Sequence, residues 1–160
     1  MEKQNQLPFF GVGPYMITPI VIIAVLSFVA SSYKLIPIYT IPQLDFLFVL
    51  VGVISIMLGI VLWLAAVVNS RISENIKNKN LVTTGVYAYV RHPIYSCFLF
   101  VTTGVIIISQ NILLFILPLI FWVFLTVTLK KTEEKLLLGE FGEEYTIYSN
   151  KVNRLIPFKK

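Results

Sequence analysis

The sequence predicts an all-α membrane protein with four transmembrane helices, the third and fourth forming a tight hairpin, followed by a C-terminal amphipathic helix. Its composition is 57% hydrophobic and only 13% charged, which lies outside the range of soluble globular domains. Several apolar runs also approach the roughly 20 residues that a helix needs to cross a bilayer. We therefore expect one integral membrane domain over residues 1–160.

Four apolar segments are predicted to span the bilayer. The first follows Lys3 and precedes small residues, as in a signal peptide, but it is long enough that we expect it to stay as an anchor. Only Gln110 and Asn111 separate the last two segments, which predicts the tight hairpin. The segments are residues 15–33, 46–68, 93–109 and 112–129, with approximate ends.

Basic residues lie almost entirely on one side of these spans. Twelve of the thirteen Lys and Arg residues fall before the first span, between the second and third, or after the fourth, and only Lys34 does not. The positive-inside rule predicts that both termini and the loop before the third span are cytoplasmic. Since this placement explains the formal net charge of +5, we expect no nucleic-acid partner.

The loop before the third span ends in Arg91-His92-Pro93. Proline suits the first position of a helix, which makes His92 the cap residue. The positive end of that helix can hold an anion, such as the carboxylate of a methionine moiety, and Arg91 and His92 add donors. The rings of Tyr87 and Tyr95 attract cations such as a sulfonium. Alternatively, these tyrosines and the arginine only anchor helix ends at the membrane surface.

The acidic pair Glu133-Glu134 directly follows the fourth span. Acidic groups so close to the hydrocarbon are costly unless they are paired or functional. A carboxylate such as Glu133 can accept hydrogen bonds from ribose hydroxyls or an adenine amino group, or balance a sulfonium charge. The alternative is a salt bridge with Arg91, Lys130 or Lys131 at the interface.

The residue pattern of the segment that follows this pair predicts an amphipathic helix packed back against the membrane face. Gly139 and Gly142 weaken the helical pattern. The residues that define one face of this helix recur at three- and four-residue intervals. They are Glu134, Leu137, Leu138, Phe141, Tyr145 and Tyr148.

Two segments, separated by the predicted hairpin, carry a distinctive set of residues. The first contains Leu81-Val82, Gly85, Tyr87, Arg91-His92-Pro93 and Tyr95. The second contains Glu133-Glu134, Leu137, Phe141-Gly142, Tyr145, Tyr148, Val152, Arg154 and Pro157. In their order and spacing, residues 79–158 resemble the isoprenylcysteine carboxyl methyltransferase and phospholipid methyltransferase superfamily of integral membrane enzymes.

The resemblance implies an S-adenosylmethionine-dependent methyltransferase, most like those acting on the lipid-linked carboxylate of a prenylated cysteine. It implies Arg91 and Glu133 as catalytic residues, and His92 as a cofactor ligand rather than a general base. We expect no metal site. Implied cofactor contacts are Lys79, Asn80, Leu81, Val82, Gly85, Tyr87, His92, Pro93, Ile94, Tyr95, Glu133 and Glu134.

Two departures from the family pattern bear on the acceptor. Members often carry an arginine four residues before the position of Glu133, where this chain has Leu129. Only two spans precede the motif, whereas the eukaryotic prenylcysteine enzymes have additional N-terminal helices. Methylation of a phospholipid head-group amine is therefore the close alternative, and a non-catalytic membrane subunit is another. Expected partners are the lipid bilayer and a lipidic or prenylated small molecule or peptide; the oligomeric state stays open.

Overall fold

The computed structural model describes residues 13–69 and 80–158, and this part of the chain contains five α-helices. Short 3-10 turns at Pro42–Leu44, Gly85–Ala88 and Ile112–Phe115 lie before the second, third and fourth helices. The first four helices match the predicted apolar segments to within a few residues. We name the helices α1 (Gly13–Ser32), α2 (Asp45–Asn69), α3 (Pro93–Ile108), α4 (Ile116–Lys131) and α5 (Glu133–Lys151).

Among the described residues, three helical segments are long and apolar enough to cross a membrane, namely 13–32, 42–67 and 112–131. Most large side chains of α2 are exposed, as expected for a helix whose solvent is lipid. The α3 helix has 16 residues, a length of about 24 Å against a hydrocarbon core of about 30 Å. The all-helical membrane fold is thus confirmed, while a fourth crossing by α3 stays a prediction.

The α3 helix lies at the centre of the bundle and packs against α1, α2 and α4. Because its neighbours shield it, half of its residues are buried. This packing fixes the N-terminal end of α3 relative to the start of α5. The main core contains Met16, Ile20 and Ala24 of α1, Tyr95, Leu99 and Ile106 of α3, Phe121, Leu125 and Leu129 of α4, and Leu155.

Glycines allow α2 and α3 to cross closely. A Cβ added at Gly104 would lie 2.5 Å from the carbonyl oxygen of Gly52, and one added at Gly52 would lie 2.8 Å from the carbonyl oxygen of Gly104. The hydroxyl of Ser55 donates to the carbonyl oxygen of Phe100 at 2.7 Å across the same interface. Small residues and interhelical hydrogen bonds of this kind associate helices within lipid.

Replacing Gly104 with alanine should push α2 and α3 apart and lower the free energy of unfolding by about 1–3 kcal/mol. The matched control is Gly139→Ala on α5, where an added Cβ meets nothing within 4 Å and alanine is the better helix former. Unfolding in detergent micelles measures both. Equal stability of the two variants would show that the crossing has room for a methyl group.

A buried amide organises the short connection between α3 and α4. Gln110 turns the chain with a φ of 57°, and the fully buried Asn111 donates to the carbonyl oxygen of Pro37 at 3.0 Å and to the Ser31 hydroxyl at 3.3 Å. The side-chain oxygen Oδ1 of Asn111 accepts a hydrogen bond from the backbone N–H of Tyr39 at 3.2 Å. These contacts tie the α1–α2 connection to the hairpin.

The predicted amphipathic helix is not confirmed as one continuous element. Gly142 interrupts α5 with a φ of 52° and a ψ of −118°, a left-handed conformation that glycine adopts most readily. Tyr145 and Tyr148 beyond the bend are buried, whereas Leu138 before it is half-exposed. Beyond the bend, the two tyrosines contact Arg91 and Tyr87, in the segment that precedes α3.

Candidate active site

The tail after α5 holds the segment before α3 in place through its backbone. Val90 and Asn153 form a parallel bridge. The N–H of Arg91 donates to the carbonyl oxygen of Asn153 at 2.9 Å, and the N–H of His92 donates to that of Arg154 at 3.1 Å. Buried N–H groups need such partners, so the tail satisfies the backbone where the Arg91 and His92 side chains turn inward.

The carboxylate of Glu134 is the centre of a buried ionic cluster. Its Oε1 accepts from Arg154 Nε at 2.7 Å and lies 3.0 Å from an Arg91 guanidinium nitrogen and 3.3 Å from His92 Nε2. Its Oε2 accepts from the second arm of Arg154 at 2.7 Å. Arg91, His92 and Glu134 are each more than 90% buried. A single carboxylate therefore organises three basic side chains.

The ionic partners set the protonation of this cluster. Burial alone would raise the pKa of Glu134, but hydrogen bonds from His92 and Arg154 and the charge of Arg91 lower it to about 2. Burial opposes the charge on His92, yet hydrogen bonds to Glu133 and Glu134 outweigh it and raise the His92 pKa above its ordinary value. Each ring nitrogen of His92 faces a carboxylate, an arrangement that only the doubly protonated imidazolium satisfies as donor.

Glu133 is the more open of the two carboxylates. The Tyr95 hydroxyl donates to its Oε1, and its Oε2 lies 3.5 Å from His92 Nδ1. Its side chain is 24% exposed against 9% for Glu134. Unlike Glu134, Glu133 keeps acceptor capacity for a ligand.

Tyrosines enclose the cluster on the α5 side. An Arg91 guanidinium nitrogen donates to the Tyr145 hydroxyl at 3.2 Å, and the guanidinium carbon lies 6.0 Å from the centre of that ring. The Tyr148 hydroxyl donates to the carbonyl oxygen of Tyr87 at 2.7 Å. Burial and the nearby charge of Glu133 raise the pKa of Tyr87 to about 12. The phenols therefore stay neutral and present rings and hydroxyls rather than charges.

The structure brings five of the predicted site residues into contact with one another. Arg91, His92, Tyr95, Glu133 and Glu134 form one contact network. The alternative salt bridge of Glu133 with Arg91, Lys130 or Lys131 is not found among the described residues, where Glu133 contacts Tyr95 and His92.

The remaining predicted contacts lie around this network or beyond it. Tyr87 joins through Tyr148, and Pro93 is buried at the start of α3. Leu81 packs against the buried Tyr145 and Tyr148. Lys79 lies outside the described residues. Partly buried or exposed positions are Asn80, Val82, Gly85 and Ile94.

Three members of the cluster had no assigned role in the sequence-based site, namely Tyr145, Tyr148 and Arg154. They belonged to the motif pattern, but only the bend at Gly142 and the pairing of the tail with Val90 bring them to the start of α3. Arg154 belonged to the pattern that carries the family resemblance, but its position in the sequence does not identify Glu134 as its partner.

The cluster carries an excess of positive charge. Arg91, His92 and Arg154 outnumber the carboxylates of Glu133 and Glu134 by one. The buried Nε of Arg91 also has no hydrogen-bond partner among the described residues. A buried donor without a partner is costly, and this site is therefore suited to an anionic group beside an accessible carboxylate.

Comparison with known proteins gives a family match at this part of the chain. Residues 47–144 match the model of the phospholipid methyltransferase family. That range includes α3, α4 and the residues Arg91, His92, Glu133 and Glu134. No solved structure matches the chain.

The chain is similar in sequence to several curated methyltransferases, of which three are described below. The chain is 38% identical over 86 residues to protein-S-isoprenylcysteine O-methyltransferase of Schizosaccharomyces pombe, covering 53% of the chain and 36% of the relative. It is 30% identical over 94 residues to methanethiol S-methyltransferase 1 of Bradyrhizobium diazoefficiens, covering 59% and 32%. It is 34% identical over 117 residues to a probable protein-S-isoprenylcysteine O-methyltransferase of Oryza sativa subsp. indica, covering 68% and 60%. The match thus spans about a third of the yeast and bacterial relatives.

Proposed function

Because this chain belongs to the phospholipid methyltransferase family, we propose that it is an S-adenosylmethionine-dependent methyltransferase acting at the membrane boundary. The observation that carries the proposal is the buried cluster of Arg91, His92 and Glu134 beside the accessible carboxylate of Glu133. Perturbed ionisable groups gathered at one end of a helix bundle are typical of a catalytic or binding site.

The residues present fit such a cofactor. A zwitterionic methionine moiety carries a carboxylate, which the partnerless Nε of Arg91 and the surplus positive charge of the cluster can receive. Its ammonium and sulfonium groups are cations, for which the Glu133 carboxylate and tyrosine rings provide partners. Each charged group of the cofactor thus has a suitable partner: the guanidinium of Arg91 for the carboxylate, and the Glu133 carboxylate or the face of a neutral tyrosine ring for the two cations.

We assign the cofactor contacts as the motifs imply, with Arg91 and Glu133 closest to the reaction. The contacts are Lys79, Asn80, Leu81, Val82, Gly85, Tyr87, His92, Pro93, Ile94, Tyr95, Glu133 and Glu134. The geometry modifies one of these assignments. Glu134 is covered by three basic side chains, so it holds those side chains in place and does not contact the cofactor directly.

The chemistry requires little proton transfer from the protein. When bound, S-adenosylmethionine would supply an activated methyl group on its sulfonium, and direct displacement by the acceptor would release S-adenosylhomocysteine. The side chains have to align donor and acceptor and exclude water. His92 faces a carboxylate at each ring nitrogen, so it holds charge and does not act as a general base. An acceptor that must lose a proton would give it to Glu133.

The leading acceptor is a lipid-linked carboxylate such as that of a prenylated cysteine. Relatives named protein-S-isoprenylcysteine O-methyltransferase support this acceptor, and a carboxylate is already ionised at neutral pH. A phospholipid head-group amine is the second candidate. It is favoured by the fully buried Leu129, which lies in the apolar core, at the position where related enzymes often have an arginine.

We place the site on the cytoplasmic side, with both termini. The basic residues after the fourth apolar segment and around the motif support this orientation through the positive-inside rule. A soluble cofactor would then enter from the cytoplasm, and a lipidic acceptor would enter from the bilayer.

The test is calorimetric titration of the purified protein with S-adenosylhomocysteine, followed by methyl transfer from radiolabelled S-adenosylmethionine. We expect micromolar binding, and transfer to a farnesylcysteine analogue rather than to phosphatidylethanolamine. Transfer to the lipid amine alone would replace the leading acceptor with the second. A folded protein that binds no S-adenosylhomocysteine would indicate a non-catalytic membrane subunit.

A further inference from the structure

We propose that Arg154 is a positioning residue, which orients the Glu134 carboxylate so that its Oε1 is shared by Arg91 and His92 in the cofactor site. This inference rests on the proposed function for its effect on cofactor binding. Its effect on the arrangement of His92 stands without a cofactor.

The contacts of Glu134 support this role. Arg154 holds both carboxylate oxygens at 2.7 Å, through Nε and a terminal nitrogen. With both oxygens held, the carboxylate cannot rotate freely about its last bond. Oε1 is then fixed 3.0 Å from Arg91 and 3.3 Å from His92 Nε2. The two contacts to Arg91 and His92 are longer than those to Arg154, so Arg154 makes the orienting pair.

The backbone of Arg154 adds a second constraint. Its carbonyl oxygen accepts from the N–H of His92 at 3.1 Å. One residue of the tail thus fixes the main chain of His92 and the carboxylate that faces the His92 ring. Leu155, the next residue, is buried in the main core, which anchors the tail behind this contact.

Arginine suits this task better than lysine. A guanidinium presents two parallel N–H donors that match the two oxygens of a carboxylate, whereas an ammonium acts as a point charge. Arg154→Lys therefore keeps the charge and removes the two-point hold. The side chain is 21% exposed, so a lysine head can be accommodated at its partly open edge.

The test uses His92 as the reporter, since it is the only histidine in the chain. Its imidazole is titrated by NMR in the ligand-free protein, in wild type and in Arg154→Lys. The groups that face the ring are Glu133 and Glu134 from α5 and Tyr95 from α3. Freeing Glu134 weakens its bond to the imidazolium, so the His92 pKa should fall toward its ordinary value in the variant. Affinity for S-adenosylhomocysteine should fall about tenfold.

The matched control is Lys151→Arg, which exchanges the same two residue types at an exposed position of α5. It should leave both the titration and the affinity unchanged. A His92 titration in Arg154→Lys identical to that of wild type would overturn the inference, as would an unchanged affinity. Arg154→Gln provides a second affinity measurement if the lysine variant is unfolded, and wild-type affinity there would also overturn it. A wild type that binds no S-adenosylhomocysteine, together with a shifted titration in Arg154→Lys, would reject the proposed function and keep the positioning role.

Discussion

Glu134→Gln is expected to lower the free energy of unfolding by roughly 3–5 kcal/mol, the cost of breaking a buried ionic network by removing one partner. Glu134 is 7% exposed and faces Arg91, His92 and Arg154. A glutamine of the same shape removes the negative charge and turns an N–H₂ group toward one of these donors. The positive charges of Arg91, His92 and Arg154 would then face the Glu133 carboxylate alone within this cluster.

Unfolding in detergent micelles measures this loss, with Glu143→Gln as the control. Glu143 lies on the same helix and is exposed, so its neutralisation should change stability by less than about 0.5 kcal/mol. Because the folded-state pKa of Glu134 is lowered to about 2, its stabilising contribution is present above the ordinary pKa of a glutamate. It is lost as the pH falls toward 2. Equal stability of the two variants would show that the cluster does not hold the tail and α5 against the bundle.

Glu133→Gln is expected to lower the affinity for S-adenosylhomocysteine by about 10- to 100-fold, with a much smaller effect on stability. A hydrogen bond to a charged group contributes about 1.5–3 kcal/mol, which corresponds to this range of affinities. The Glu133 side chain is 24% exposed and contacts Tyr95 and His92. Its loss therefore removes a ligand-facing acceptor and weakens the contact with His92, while the contacts of Glu134 with Arg91, His92 and Arg154 remain.

The measurement is calorimetric titration of Glu133→Gln beside Glu143→Gln, each checked for folding. The Glu143 variant should bind as wild type does. Wild-type affinity in Glu133→Gln would mean that the cofactor contacts lie elsewhere, with the loop before α3 as the next region to test. The two adjacent glutamates are thus expected to separate into one that governs stability and one that governs binding.

The helical membrane fold followed from sequence because lipid imposes a simple rule. A segment in hydrocarbon must satisfy its own backbone hydrogen bonds and present apolar side chains on nearly every face. Residues 46–68 meet both conditions, so this membrane-spanning helix can be identified without knowing which helices pack against it. The 16-residue α3 is the marginal case, because its central position means that packing rather than lipid surrounds much of it.

Residue pairing in the site could be predicted only in part. Arg91, His92 and Glu133 stood out because ionisable groups beside hydrocarbon need partners or a function. Their partners do not follow from the sequence: Arg91, Lys130 and Lys131 are all plausible ion-pair partners for Glu133, whereas the structure has it contact Tyr95 and His92. Spacing along a helix defines a face but not the residues opposite it.

Composition and hydrophobic run length depend on no other part of the chain, so they are enough to identify an apolar helical protein with a polar motif at one end. The tertiary structure alone decided that Glu134 is buried beneath Arg91, His92 and Arg154 while its neighbour Glu133 stays accessible. That division depends on the bend at Gly142 and on the pairing of Val90 with Asn153. Both bring together residues about 60 positions apart, and the energy of an ion pair depends on the distance and burial of its members in space.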